Sequence, residues 1–241
     1  MTEGKDTIKK LVEKYPKIAF AIPTYKTIPA KTFHDFQVFF SHMRSLGFKV
    51  SQFFLDQTVV CIARNKLVGH FLDAHNSEDW GPYNLLMWLD SDHAFKCEDF
   101  LDLLKSYDDH DEIKVLSGSY VTRDNESPRI CAFMRDKEEK YTSISYNGTG
   151  LMEVDTFGFG FVMMSPDMIQ HMYDEYGLHQ FAFECVGPKE KGDMIGEDMS
   201  WCIKAKKLGY KMYFNADVKI GHVGSIMDHN YMKSFWSNKE R

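Results

Sequence analysis

Residues 85–95 read Leu-Leu-Met-Trp-Leu-Asp-Ser-Asp-His-Ala-Phe, an apolar run from Leu85 to Leu89 that ends in two aspartates, Asp90 and Asp92, flanking Ser91. A short continuous apolar run reads as a strand covered on both faces. Upstream, "KIAFAIPTY" (17–25) and "FKVSQFFLD" (48–56) read as two more strands. Between and after them stand helical patterns. Phe36, Phe39, Phe40 and Met43 share one face and Gly47 follows as a stop. Val60, Ala63, Leu67 and Phe71 share another, and "CEDFLDLLKSY" follows the third strand. Strand and helix in strict alternation predict an α/β fold with parallel strands.

From Ile113 the pattern changes. "IKVLSGSYV", "RICAFMRD", "YTSISYN" and "GLMEVDTFGFGFVMMS" are strand-like, with few helices among them. Helices return at "PDMIQHMYDEYG", with Pro166 in its first turn, and at "EDMSWCIKAKKLG", closed by Gly209. The stretch "YKMYFNADVKIGHVG" reads as paired strands. With no repeat or linker in 241 residues, one mixed α/β domain is expected, parallel first and antiparallel-rich second.

Composition narrows the function classes. Hydrophobic residues make up 44% of the chain, enough for a sizeable core. The net charge of -6 argues against a broad grip on nucleic-acid phosphates. The five cysteines, Cys61, Cys97, Cys131, Cys185 and Cys202, are odd in number and lack C-x-x-C spacing, so reduced thiols are expected. The N-terminal "MTEGKDTIKKLVEKYP" is polar and charged, and no run of about 18 apolar residues occurs. A cytoplasmic protein, neither secreted nor membrane-spanning, is the expectation; for a viral source that means the host cytoplasm. The sequon at Asn147 is then incidental.

In open α/β sheets, ligands bind beyond the carboxyl ends of the strands. Asp90 and Asp92 sit at such an end, and residues two apart on extended chain point the same way. Hard oxygen ligands on one side suit Mg²⁺ or Mn²⁺, and such an ion suits a diphosphate. The plain alternative is a solvated turn. A dehalogenase-type phosphatase also places D-x-D after a strand, but on its first strand and with Thr or Val where Ala94 stands here. Three further features ask for a reason. Gly158 and Gly160 alternate with phenylalanines, a sign of a bulge or of close approach by a ligand or backbone. Glu197 and Asp198 open a helix, where acidic residues also favour the dipole. His222 stands between a glycine and a valine, as a ligand or as a structural histidine.

Taken in order, Pro-Thr closing the first strand, "ARN" on the second helix, D-x-D, a Gly-rich strand, "GED" opening a helix and "GH" downstream resemble a GT-A-fold glycosyltransferase, similar to the family 2 nucleotide-sugar transferases. The resemblance runs from about Lys17 to Gly224. It implies a Rossmann-like nucleotide-sugar-binding half (about 17–112), an acceptor and catalytic half (about 113–224) and a C-terminal tail (225–241). The chain departs from the family after the second strand, where a richer acidic motif is reduced to Asp56.

The resemblance implies a role for each residue. Pro23, Thr24 and Tyr25 would line the nucleotide pocket, Asp56 the nucleobase, and Arg64 with Asn65 the nucleotide or its phosphates. Asp90 and Ser91 would face the ribose or metal, with Asp90, Asp92 and His222 as ligands of Mn²⁺ or Mg²⁺. Gly158 and Gly160 would admit sugar or acceptor, and Asp198, with Glu197 second, would be the base of an inverting transfer. The implied reaction moves a hexosyl or pentosyl group from a nucleoside diphosphate sugar, UDP being the commonest in the family. The acceptor hydroxyl is open: glycan, lipid-linked sugar, protein, small molecule or modified nucleic acid. Two rivals stand beside this reading. One is a nucleotidyltransferase, disfavoured by the lack of glycine in "IPTYKTIPAK". The other is a non-catalytic sugar-nucleotide-binding subunit.

Overall fold

The computed structural model describes residues 2–25, 27–56, 59–123, 127–138, 140–145, 147–186 and 193–222, with 229, 232, 233 and 237 beyond them. Side chains of residues 2, 3, 185, 186 and 193 lie outside the description, as do Gly224 and most of the tail. The first half runs α1 (Thr2–Lys14), β1 (Lys17–Thr24), α2 (Ala30–Ser45), β2 (Lys49–Asp56), α3 (Val60–His75), β3 (Leu85–Leu89), β4 (His93–Ala94) and α4 (Cys97–Asp108). There follow β5 (Val115–Ser119), β6 (Ala132–Arg135), β7 (Tyr141–Ser143), β8 (Leu151–Val154), β9 (Thr156–Phe157), β10 (Phe161–Met164) and α5 (Pro166–Tyr176). The last elements are β11 (Glu184–Val186), β12 (Asp193–Ile195), α6 (Glu197–Lys207), β13 (Met212–Lys219) and β14 (Gly221–His222).

The protein is α/β, as expected, built on a mixed seven-stranded sheet in the order β2-β1-β3-β10-β5-β13-β8. β1 pairs parallel with β2 and β3, and β13 pairs parallel with β5. β10 lies antiparallel between β3 and β5, which leaves those two pointing the same way. β1, β2, β3, β5 and β13 therefore share one carboxyl edge, and the antiparallel β10 begins there.

Helices cover both faces, which explains the unbroken apolar runs. Ile18, Phe20 and Ile22 of β1 and Leu85, Met87 and Leu89 of β3 face α2 and α4 through Phe36, Phe40, Phe100 and Leu104. The alternate residues Ala19, Ala21, Leu86 and Trp88 face α3, α5 and α6 through Leu67, Phe71, Met172 and Trp201. Every residue of β3, β5 and β10 is buried. Gly47 and Gly209 take positive φ after α2 and α6, the conformation that ends a helix most cheaply.

Two readings are corrected. The run from Gly150 to Ser165 is not one strand: β8 pairs with β13, β9 with β6, and β10 enters the main sheet. Alternation marks a strand but not its partner. The strands near the end do not pair with each other. β13 joins the main sheet, while β14 pairs with β4, setting His222 opposite His93. The N-terminal stretch forms α1, which buries Leu11. Of the tail, His229 and Met232 are buried, with His229 Nε2 at 2.7 Å from Ser119 Oγ. Cys61, Cys97, Cys131 and Cys202 are free thiols. Among the described residues no helix is long and apolar enough to cross a membrane.

Candidate functional site

At the shared carboxyl edge an open cleft of about 290 Å³ lies between the ends of β1 and β3. Pro23, Thr24 and Tyr25 form one wall, Asp90, Ser91 and Asp92 another, with Val60 and Ala63 of α3 and Arg123 completing it. Tyr25 is 57% exposed at this edge. Asp56 ends β2 beside Thr24, exposed and outside the described lining.

Arg64 and Asn65 face inward, where the resemblance put them on the nucleotide. Arg64 is 3% exposed. Its Nη1 donates to Phe159 O at 3.1 Å and its Nη2 to both Asp90 oxygens at 3.0 and 3.3 Å. Its Nε lies 3.4 Å from Glu197 Oε1. The rings of Trp88, Phe159 and Phe181 surround the guanidinium at 5.4–5.9 Å. The helix face that packs on the sheet is broader than its apolar pattern, and Arg64 falls within it. Asn65 Nδ2 donates to Phe181 O at 2.7 Å and its Oδ1 accepts from Phe181 N–H at 3.0 Å, a clamp on the loop after α5. Arg64 thus ties the end of β3 to the start of α6.

A second cluster stands where β4 meets β14. One ligand atom each from Asp92, His93 and His222 lie within 4.8 Å of one another. His222 Nδ1 donates to Val121 O at 2.6 Å, which leaves Nε2 with the lone pair. Burial, together with the neighbouring His93 and Arg123, pushes His222 down to about 3. His93 is 1% exposed, and among the described residues neither ring nitrogen has a hydrogen-bond partner. Burial, helped by Arg64, pushes His93 down to about 4, so both imidazoles are neutral at pH 7. Arg123 pairs with Asp92 Oδ2, while Asp92 Oδ1 lies 3.4 Å from His93 Nδ1. Two neutral imidazoles and a carboxylate fit a divalent cation, and the orphaned His93 nitrogens are the observation that favours one.

At both glycines a Cβ would meet protein side chains. A Cβ on Gly160 would stand 2.3 Å from His93 Cε1 and 2.6 Å from His93 Nε2. One on Gly158 would stand 2.0 Å from the Tyr120 hydroxyl and 3.3 Å from Asp198 Oδ2. Gly160 N–H donates to Tyr120 Oη at 3.0 Å, and Asp90 N–H donates to Gly160 O at 3.0 Å.

The acidic pair is divided. Glu197, 7% exposed, is tied to Arg64. Asp198 has no ion pair among the described residues; its Oδ1 accepts from Met199 N–H at 2.7 Å. Burial first, and repulsion from Glu197 second, raise Asp198 to about 6, while Arg64 holds it down in part. A carboxylate with that value can take a proton near neutral pH.

Asp90, Ser91 and Asp92 come together with Pro23, Thr24 and Tyr25 in the cleft, and His222 joins Asp92. The sequence reading missed His93, Tyr120 and Arg123. The signal for His93 was its place directly after the second aspartate; for Arg123 there was none.

No family model matches the chain, and no curated protein matches it. Among solved structures, the crystal structure of A197 from STIV is similar over 88% of this chain and 95% of that one, at 16% identity and TM-score 0.50. A CMP:2-keto-3-deoxy-manno-octonic acid synthetase complexed with CTP aligns over 93% and 99%, at 10% identity and TM-score 0.41. The nucleoside-diphosphate-sugar pyrophosphorylase from Vibrio cholerae RC9 aligns over 96% and 84%, at 8% identity and TM-score 0.38. At these identities the A197 likeness speaks for the fold alone, and the two looser ones carry no argument.

Proposed function

We propose that this protein is a metal-assisted glycosyltransferase that uses a nucleoside diphosphate sugar. The carrying observation is the union of two features at one sheet edge. The cleft walled by Pro23–Tyr25 and Asp90–Asp92 shares Asp92 with the metal-competent cluster. The cleft takes the nucleotide, with Tyr25 offering an exposed ring to the base and Arg123 a cation to the phosphates. Asp92 and His222 hold the divalent ion, whose chemistry is to offset charge on the departing nucleoside diphosphate. Asp90, fixed by Arg64, borders the ribose.

Asp198 is the base in this proposal. It accepts the proton of the acceptor hydroxyl as that oxygen attacks the sugar carbon, which inverts the anomeric centre. Glu197, engaged with Arg64, positions the start of α6 instead. The acceptor is any hydroxyl compound that reaches Asp198.

The test is thermal unfolding with nucleoside diphosphate sugars, with and without Mn²⁺. A ligand of the folded state raises stability by RT ln(1 + [L]/Kd), about 2.7 kcal/mol at 100 Kd. The expected result is a rise with a sugar nucleotide that depends on the metal. Stabilisation by no sugar nucleotide refutes the proposal.

A further inference from the structure

We propose that His93 is itself a metal ligand, so that Asp92, His93 and His222 form a two-imidazole, one-carboxylate site that prefers Mn²⁺, Co²⁺ or Zn²⁺ to Mg²⁺. The inference rests on the metal of the proposed function and its ligands Asp92 and His222, and adds His93 to them.

His93 is held in place from several sides. Its backbone pairs across to His222, and the two rings stand 4.1 Å apart between centroids. The Tyr120 ring meets it edge-on at 4.6 Å. Bare Gly160 makes room for its Nε2 side, where any Cβ would collide. Enclosure of this kind normally goes with satisfied nitrogens, because a buried polar atom without a partner costs about 1–3 kcal/mol. Among the described residues both nitrogens of His93 lack one. The cluster atoms lie close enough for one cation to bridge them.

The ligand atoms follow from the surroundings. His222 has committed Nδ1 to Val121 O, so it offers Nε2. His93 offers Nδ1, which lies 3.4 Å from Asp92 Oδ1, while Asp92 Oδ2 is left to Arg123. Imidazole nitrogens bind first-row transition metals, more tightly for Co²⁺ and Zn²⁺ than for Mn²⁺, whereas Mg²⁺, with no such affinity, favours carboxylate, carbonyl and water oxygens. Replacing one carboxylate of the expected set by a second imidazole therefore shifts the preference away from Mg²⁺.

The experiment uses the metal-free full chain and the chlorides of Mn²⁺, Co²⁺, Zn²⁺ and Mg²⁺ alone, with no sugar nucleotide. Equilibrium dialysis gives Kd and stoichiometry for wild type and His93→Phe, which keeps a ring but no ligand atom. Expected are one Mn²⁺ or Co²⁺ per chain, weaker binding of Mg²⁺, and a loss in His93→Phe of at least about 10–100-fold, the size of loss that removing a group which merely orients a ligand already causes. Should His93→Phe fail to fold, wild type decides. The Co²⁺ protein should show hyperfine-shifted exchangeable N–H protons from two imidazoles. A single such proton, unchanged affinity in a folded His93→Phe, Mg²⁺ binding as tight as Mn²⁺, or no metal binding overturns the proposal. The thermal assay, run with and without metal, reads sugar-nucleotide binding separately, so of these outcomes only the absence of any metal binding bears on both readings.

Discussion

Replacing Arg64 by methionine removes the charge at the centre of the buried network and keeps much of the shape. Methionine fills the space among Trp88, Phe159 and Phe181 and retains favourable sulfur–aromatic contact. What it cannot replace is the pairing of Asp90, 26% exposed in its side chain, and Glu197, 9% exposed. Breaking a buried pair from one side costs about 3–5 kcal/mol, because the other charge stays buried. That is a large part of the roughly 5–15 kcal/mol that holds a domain together. Urea unfolding at pH 7 measures it. The sign with pH is also fixed. Arg64 is one of the groups holding Asp198 down, so without it the folded-state Asp198 carboxyl sits further above its unfolded value. Such groups bind protons more tightly in the folded state, so stability falls as pH rises through their range. The deficit of Arg64→Met should therefore shrink as pH falls towards about 4 and grow towards 7. Adding Asp90→Asn and Glu197→Gln should recover most of the loss. A deficit below about 1 kcal/mol at pH 7, the value of an exposed pair, would refute the reasoning.

Asp198→Asn should leave donor Kd unchanged and lower kcat about 10²–10⁴-fold. In wild type the base must be ionised, so kcat should fall as pH drops through about 6, and the variant should lose that limb. Gly160→Ala forces a Cβ into the His93 ring and should cost about 1–3 kcal/mol of stability, read by urea unfolding. Asp92→Asn removes the charge that a divalent ion prefers, so dialysis should show weaker Mn²⁺ binding and the thermal assay a smaller metal-dependent shift.

The centre of the sheet was legible because its strands are buried on both faces. Runs such as Ala19–Ile22 and Leu85–Leu89 leave no polar residue to face water, and such runs read as strands without any partner known. Helices α2 and α4 were legible by their apolar spacing, with Gly47 as the stop after α2. What local pattern cannot carry is pairing. β10 slips antiparallel between β3 and β5, though nothing in "FVMM" distinguishes that place from a parallel one. The same limit hid His93. Its importance comes from a ladder of two residues, β4 against β14, which joins positions more than a hundred residues apart. Arg64 read as a nucleotide-facing cation because the resembled family carries a basic residue there, and the breadth of the α3 contact turns it inward. The glycines signalled close approach correctly, but the approaching groups are the protein's own Tyr120 and His93.

The central claim is that a sugar, not a nucleotide, is transferred at the edge where Asp92 and Asp198 stand. Product analysis by ³¹P NMR tests it most directly, with the full chain, Mn²⁺ and a panel of nucleoside diphosphate sugars, in water and with added hydroxyl acceptors. The account predicts release of nucleoside diphosphate together with a glycoside or free sugar, abolished by chelator and strongly slowed in Asp198→Asn. Formation of pyrophosphate from a nucleoside triphosphate and a sugar or sugar phosphate, with no nucleoside diphosphate released from any donor, would contradict it.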